Sequence, residues 1–152
     1  MHNPIPRDLP QRVRTLQAIW FALVIASAII LAVFWYLRDE VRLAGPWQED
    51  FSIALILAGV GLLLTLLAFV IPNPVAAQVL PGHRPSFATY QVAWLVRVAL
   101  LEGATQMQGV AYLLEGEWGS LALGGAILLI LLGSMPTRDA ATRWLQRAGL
   151  DH

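Results

Sequence analysis

Residues 88–114, ATYQVAWLVRVALLEGATQMQGVAYLL, hold the groups of this chain best suited to chemistry. Arg97, Glu102, Thr105, Gln106 and Gln108 lie there inside an otherwise apolar run. The three other apolar runs carry no charge at all. If 88–114 crosses a bilayer, Glu102 sits near its middle, where an ionisable group costs at least ~2.5–3.5 kcal/mol on insertion scales. A carboxylate that charges and discharges at that depth is what a proton or cation translocator requires. Thr105 and Gln106, one helical turn further on, are spaced to help hold a proton or an ion. The competing reading is structural: Glu102 stays protonated, or is tied to Arg97 of a neighbouring copy or to glutamine, and only orients a bundle. For a lone carboxylate with one arginine nearby, the structural reading takes precedence.

Helical geometry sorts these polar groups onto two faces. At 100° per residue, Gln91, Glu102, Thr105, Gln106 and Gly109 fall near one stripe. Arg97 lies about 140° from Glu102, on a stripe with Ala104 and Gln108. The i,i+5 spacing of Arg97 and Glu102 is poor for a direct pair within one helix. The remaining apolar runs offer Thr15, Gln17, Ser27, Ser52, Thr65, Ser120 and Ser134 but no second carboxylate. A two-metal site, a chain of acids or a hydrolase dyad therefore lacks parts. No catalytic residue, metal site or cofactor site is assigned, and an enzyme ranks last.

The elements that must position these groups are legible in the composition. Of the 152 residues, 57% are hydrophobic and only 13% charged, with a mean hydropathy of +0.62. A soluble domain of this length has too little interior to hide so much apolar surface. The apolar residues fall in blocks near 15–37, 51–71, 88–114 and 118–135, each about the ~20 residues needed to cross a hydrocarbon core. The expected fold is an all-α membrane protein, a bundle of four transmembrane helices. Residues 1–14 form an amino-terminal tail, 15–135 the membrane domain, and 136–152 a short amphipathic tail helix. The first block is too long for a signal peptide and ends in Phe34-Trp35-Tyr36 rather than small residues. It reads as a retained first span.

Arginine counts set the orientation. Arg7, Arg12, Arg14, Arg84, Arg138, Arg143 and Arg147 fall on one side of such a bundle, and only Arg38 and Arg42 on the other. Positive residues stay cytoplasmic, so a multi-pass protein of the cell (inner) membrane with both termini cytoplasmic is expected. Trp35, Tyr36, Trp47, Tyr112 and Trp118 would then form the outer aromatic belt. With ten acidic and ten basic residues, all of the latter arginine, net charge is zero and a nucleic-acid partner is not expected. The chain has no cysteine, which excludes thiol chemistry.

Local signals refine the boundaries. Pro4, Pro6 and Pro10 are expected to keep the amino-terminal tail irregular or short. Pro72 and Pro74 close the second helix, and Gly45-Pro46 and Pro81-Gly82 mark turns. Pro136 opens the tail helix in its first turn and Gly149 ends it. Trp144 and Leu145 beside Arg138, Arg143 and Arg147 describe a helix lying on an anionic headgroup surface, or equally a tail helix with one buried tryptophan.

Thr15-x-Gln17-x-x-Trp20 recurs as Thr89-x-Gln91-x-x-Trp94, and Gly45-x-Trp47 recurs as Gly116-x-Trp118. A parallel duplication of a two-helix hairpin would produce this, and so would coincidence at belt positions. Small residues mark helix two (Ala54, Ala58, Gly59, Gly61) and helix four (Gly119, Ser120, Gly124, Gly125, Gly133). Ala54-xxx-Ala58 and Ser120-xxx-Gly124 have the spacing for close helix approach. Packing within the bundle is the default use of these faces. Self-association, or contact with another membrane protein, is the alternative, the lipid bilayer being the other partner.

Two resemblances follow from these residues. Ala99-Leu100-Leu101-Glu102-Gly103 with Gly109-Val110-Ala111-Tyr112-Leu113-Leu114 resembles the carboxylate-bearing helix of rotary-ATPase c-type proteolipids, in which a mid-helix Glu carries a proton or sodium ion. That family packs glycine-rich helices tightly, whereas helix one here has no glycine. The core Arg97-x-Ala99-Leu100-Leu101-Glu102-Gly103, a following span, and Pro136-Thr137 before a tail helix resemble a family of small four-span bacterial membrane proteins of uncharacterised activity. That resemblance implies a fold and no reaction. The expectation is a non-enzymatic subunit or scaffold of a membrane assembly. The alternative is an oligomeric proton, cation or small-solute translocator using Glu102.

Overall fold

A computed structural model of the chain describes residues 9–40, 53–74, 86–116 and 118–150. The described residues are helical throughout: α1 (Leu9–Glu40), α2 (Ile53–Val70), α3 (Phe87–Glu115), α4 (Trp118–Gly133) and α5 (Arg138–Leu150). The expected turns at Gly45-Pro46 and Pro81-Gly82, the belt residue Trp47, and Pro4 and Pro6 lie outside the described residues.

Three boundaries differ from expectation, each for a physical reason. Residues 9–14 are helical rather than an irregular tail. Pro10 is tolerated there because a first-turn residue needs no N–H donor, and Leu9 and Val13 are buried. The tail helix is capped by Thr137, whose Oγ1 accepts from the Ala140 N–H at 3.1 Å. Pro136 therefore precedes the cap instead of occupying the first turn. Gly149 does not end that helix, which runs on to Leu150. Gly116 closes α3 as a left-handed cap at φ +75°, its N–H bonding the Tyr112 carbonyl, a conformation glycine adopts without penalty.

The helices run up, down, up, down. Trp94 near the start of α3 meets Ser134 beyond the end of α4, and Trp20 near the start of α1 meets Leu131 in the last turn of α4. Arg38 near the end of α1 reaches Leu113 and Leu114 at the end of α3. α3 touches all four other helices, whereas α1 and α2 do not touch among the described residues. The helix that carries charged groups within its apolar run is thus the hub. α5 leaves α4 at 74° and turns Ala141 inward.

The core lies along α3, where Val98, Leu101 and Ala104 meet Leu16, Ile127 and Leu131. The outer surface is also apolar: Phe21, Ile29, Leu55, Leu66, Phe69, Val70 and Leu129 are each more than half exposed. By length and hydropathy one described helix stretch, Leu9–Arg38, is able to cross a membrane alone. The described apolar part of α2, Leu55–Val70, is shorter, and α4 passes the same test only when joined to α5 across the bend.

Candidate functional site

α3 is built to run without interruption. Ser86 caps it, its Oγ accepting from the Thr89 N–H at 3.4 Å, and the helix then continues for 29 residues, long enough at 1.5 Å each to present polar groups at several depths.

The Arg97, Ala104 and Gln108 stripe faces α2. Arg97 Nε donates to the Ala68 carbonyl at 3.2 Å, and its guanidinium lies 5.6 Å from the Phe69 ring centre. Gln108 Nε2 donates to the carbonyls of Ala58 at 3.3 Å and Leu57 at 3.4 Å. Between them the Ala104 carbonyl faces Gly61, and a side chain on Gly61 would strike Gln108. Each step up α3 is matched by an equal step down α2, the register antiparallel helices require. Arg97 also neutralises the negative end of the α2 dipole. Gln108 is fully buried and its Oε1 has no partner.

Glu102 and Gln106 take a different position. Gln106 Nε2 lies 3.4 Å from Glu102 Oε1, and both side chains are only half-buried. They share an outward stripe with Val92, Leu95, Val96, Ala99, Val110 and Leu113, none of them buried. Thr105, expected beside them, turns inward, where its Oγ1 bonds the Leu101 carbonyl at 2.9 Å. The edge of burial runs along the expected stripe: Thr105 and Gly109 fall on the packed side, Glu102 and Gln106 on the open side. The structure brings Glu102 and Gln106 together. It leaves Arg97 and Thr105 bonded to main-chain oxygens instead.

Small residues show the same division. Ser120 and Gly124 are buried, and a side chain on Gly124 would approach Gln108 Cβ at 3.1 Å. Close packing within the bundle therefore accounts for Ser120-xxx-Gly124. Gly59, Gly119, Gly125 and Gly133 face open space. The Ala54 side chain lies outside the described set.

Sequence reasoning missed one network entirely. The carbonyls at helix ends have no intrahelical donors, and neighbouring side chains supply them here. Trp20 Nε1 bonds Leu131 O at 2.9 Å, Trp94 Nε1 bonds Ser134 O at 3.0 Å, and Gln17 Nε2 bonds Pro136 O at 3.0 Å. Arg38 Nη1 serves Leu113 O at 3.0 Å and Leu114 O at 3.2 Å. The repeated Thr-x-Gln-x-x-Trp motif was the available signal: both of its tryptophans cap the end of α4. At the opposite end, the rings of Tyr112 and Trp118 pack at 5.7 Å.

A cavity of about 500 Å³ opens where α4 bends into α5. Arg97 of α3 and Arg143 of α5 line it, with Tyr90, Trp94, Trp144 and Asn73. No family model, curated protein or solved structure matches this chain.

Proposed function

We propose that the chain is a polytopic integral membrane protein with α1–α4 spanning the bilayer and both termini cytoplasmic. In this reading it is a non-enzymatic subunit or scaffold of a membrane assembly. The apolar outer faces of α1, α2 and α4 supply the lipid contact. Helix-end carbonyls that water does not reach need a protein donor. Trp20, Arg38, Trp94 and Arg97 supply such donors at the ends of α2, α3 and α4.

The observation that carries the scaffold reading is the commitment of Arg97 and Gln108 to α2 carbonyls. Two of the polar groups that marked α3 hold α2 and are not aligned with Glu102 as a conduit. Glu102 and Gln106 remain on the outward stripe, where a carboxyl–amide pair in hydrocarbon favours a polar partner from another membrane helix. A second reading, the oligomeric translocator, draws on the same outward carboxylate.

Proteoliposomes separate the two. Wild type and Glu102→Gln are reconstituted and passive proton and sodium flux is followed with entrapped dyes. The scaffold reading expects equal flux from both proteins, at the level of empty vesicles. Flux present in wild type and lost in a folded Glu102→Gln would establish the translocator instead.

A further inference from the structure

The cavity at the α4–α5 corner has a chemistry that the scaffold reading does not use. Its walls come from the end of α2, the first turns of α3, the bend after α4, and α5. Two arginines line it and no described carboxylate does. Arg97 is fixed, since its Nε is bonded to Ala68 O and its guanidinium sits by the Phe69 ring. Arg143 comes from α5 and is exposed, and no described hydrogen bond or ion pair engages it.

Three aromatic side chains, Tyr90, Trp94 and Trp144, also line it and are already braced. Trp94 spends its indole N–H on Ser134 O, and the rings of Tyr90 and Trp144 pack at 5.8 Å. These contacts tie the walls to one another. About 500 Å³ is within the range of small-molecule sites. Both arginines border one space, and the guanidinium group matches the geometry and charge of a phosphate. Phe69 and Val70 at the end of α2 are more than half exposed, offering apolar surface to an attached chain.

We propose that this cavity binds a phosphate-bearing amphiphile, the headgroup of an anionic glycerophospholipid, between Arg97 and Arg143. The site rests on the membrane reading above, which places this end of the bundle at the cytoplasmic leaflet. Basic pockets between helices on that side are suited to anionic headgroups. The phosphate chemistry is shared with soluble phosphate esters, so a test must separate the two sources.

Native mass spectrometry of the detergent-purified full chain does so. The protein is offered phosphatidylglycerol, phosphatidylcholine or glycerol 1-phosphate. One phosphatidylglycerol should be retained in preference to phosphatidylcholine, and Arg143→Gln should weaken it about fivefold, the effect of one arginine at a headgroup. Arg138→Gln, on the same helix but outside the cavity lining, should leave retention unchanged. Because Arg97 also braces α2, Arg143 carries the test. Glycerol 1-phosphate binding as tightly as the lipid, with the same loss in Arg143→Gln, would overturn the lipid as ligand. Equal retention of the two lipids, or equal loss in the two variants, would overturn the site. A chain that stays in the membrane fraction after alkaline washing yet shows no selectivity would sink this proposal alone, leaving the membrane reading intact.

Discussion

Gly59 and Gly61 sit two residues apart in α2 and show how sharply position decides a residue's role. A methyl group at Gly61 would collide with Gln108 and come within 3.3 Å of the Ala104 carbonyl, whereas nothing lies within 4 Å of one at Gly59. Gln108 is fully buried and holds two α2 carbonyls, so it has little room to yield. Gly61→Ala should therefore destabilise the bundle by about 1–3 kcal/mol, the usual effect of overpacking. Gly59→Ala should stabilise it by about 0.5–1 kcal/mol through helix propensity. Unfolding midpoints in detergent titrated with SDS measure both. Equal effects from the two variants would contradict the α2–α3 register.

At the scale of elements, α2 depends on α3 for its carboxyl-terminal cap. Arg97→Leu keeps the volume but removes a charged donor from the Ala68 carbonyl. A loss of about 1.5–3 kcal/mol follows if the carbonyl finds no other donor. Hydrogen exchange should rise across residues 62–70 and stay unchanged in α1 and α4, a pattern that mass spectrometry of the variant can read. Loosening of an oligomer with unaltered α2 exchange would instead place Arg97 at an interface between copies.

The element boundaries show what the sequence made legible. Apolar blocks bounded by proline and glycine located α2, α3 and α4 closely, because block length and turn residues are local properties. The start of α1 and the cap of α5 were missed because Pro10 and Pro136 are read by exact position in a turn, and local pattern does not resolve that. Within the site, the spacing of Arg97, Ala104 and Gln108 marked one face correctly. It did not show which helix that face meets. Arg38 and Trp20 entered only as a counted charge and a repeated letter, since their carbonyl partners lie 75 or more positions away.

For the whole molecule, the contacts gather the start of α1, the end of α2, the start of α3 and the end of α4 at one pole. Arg12, Arg14, Arg138 and Arg143 belong to that pole, and Arg38 to the other. Among the described residues the arginines outside α3 therefore gather mainly at one end of the folded bundle, the end that the proposed membrane reading assigns to the cytoplasm. Between the poles the described surface is mainly apolar, with Glu102 and Gln106 the half-buried exception on α3. The central claim, a four-span bundle with lipid around this surface, is tested most directly by single-cysteine labelling, for which the cysteine-free chain is already suited. Cysteines are placed singly at Arg14, Asn73 and Arg138 for one pole, at Glu40 and Trp118 for the other, and at the exposed mid-helix positions Ile29 and Leu62. A membrane-impermeant maleimide applied to sealed vesicles of each orientation should label the first three only from the cytoplasmic face and the next two only from the opposite face. It should leave Ile29→Cys and Leu62→Cys unlabelled until detergent is added. Rapid labelling of those two mid-helix positions in intact vesicles would contradict the account.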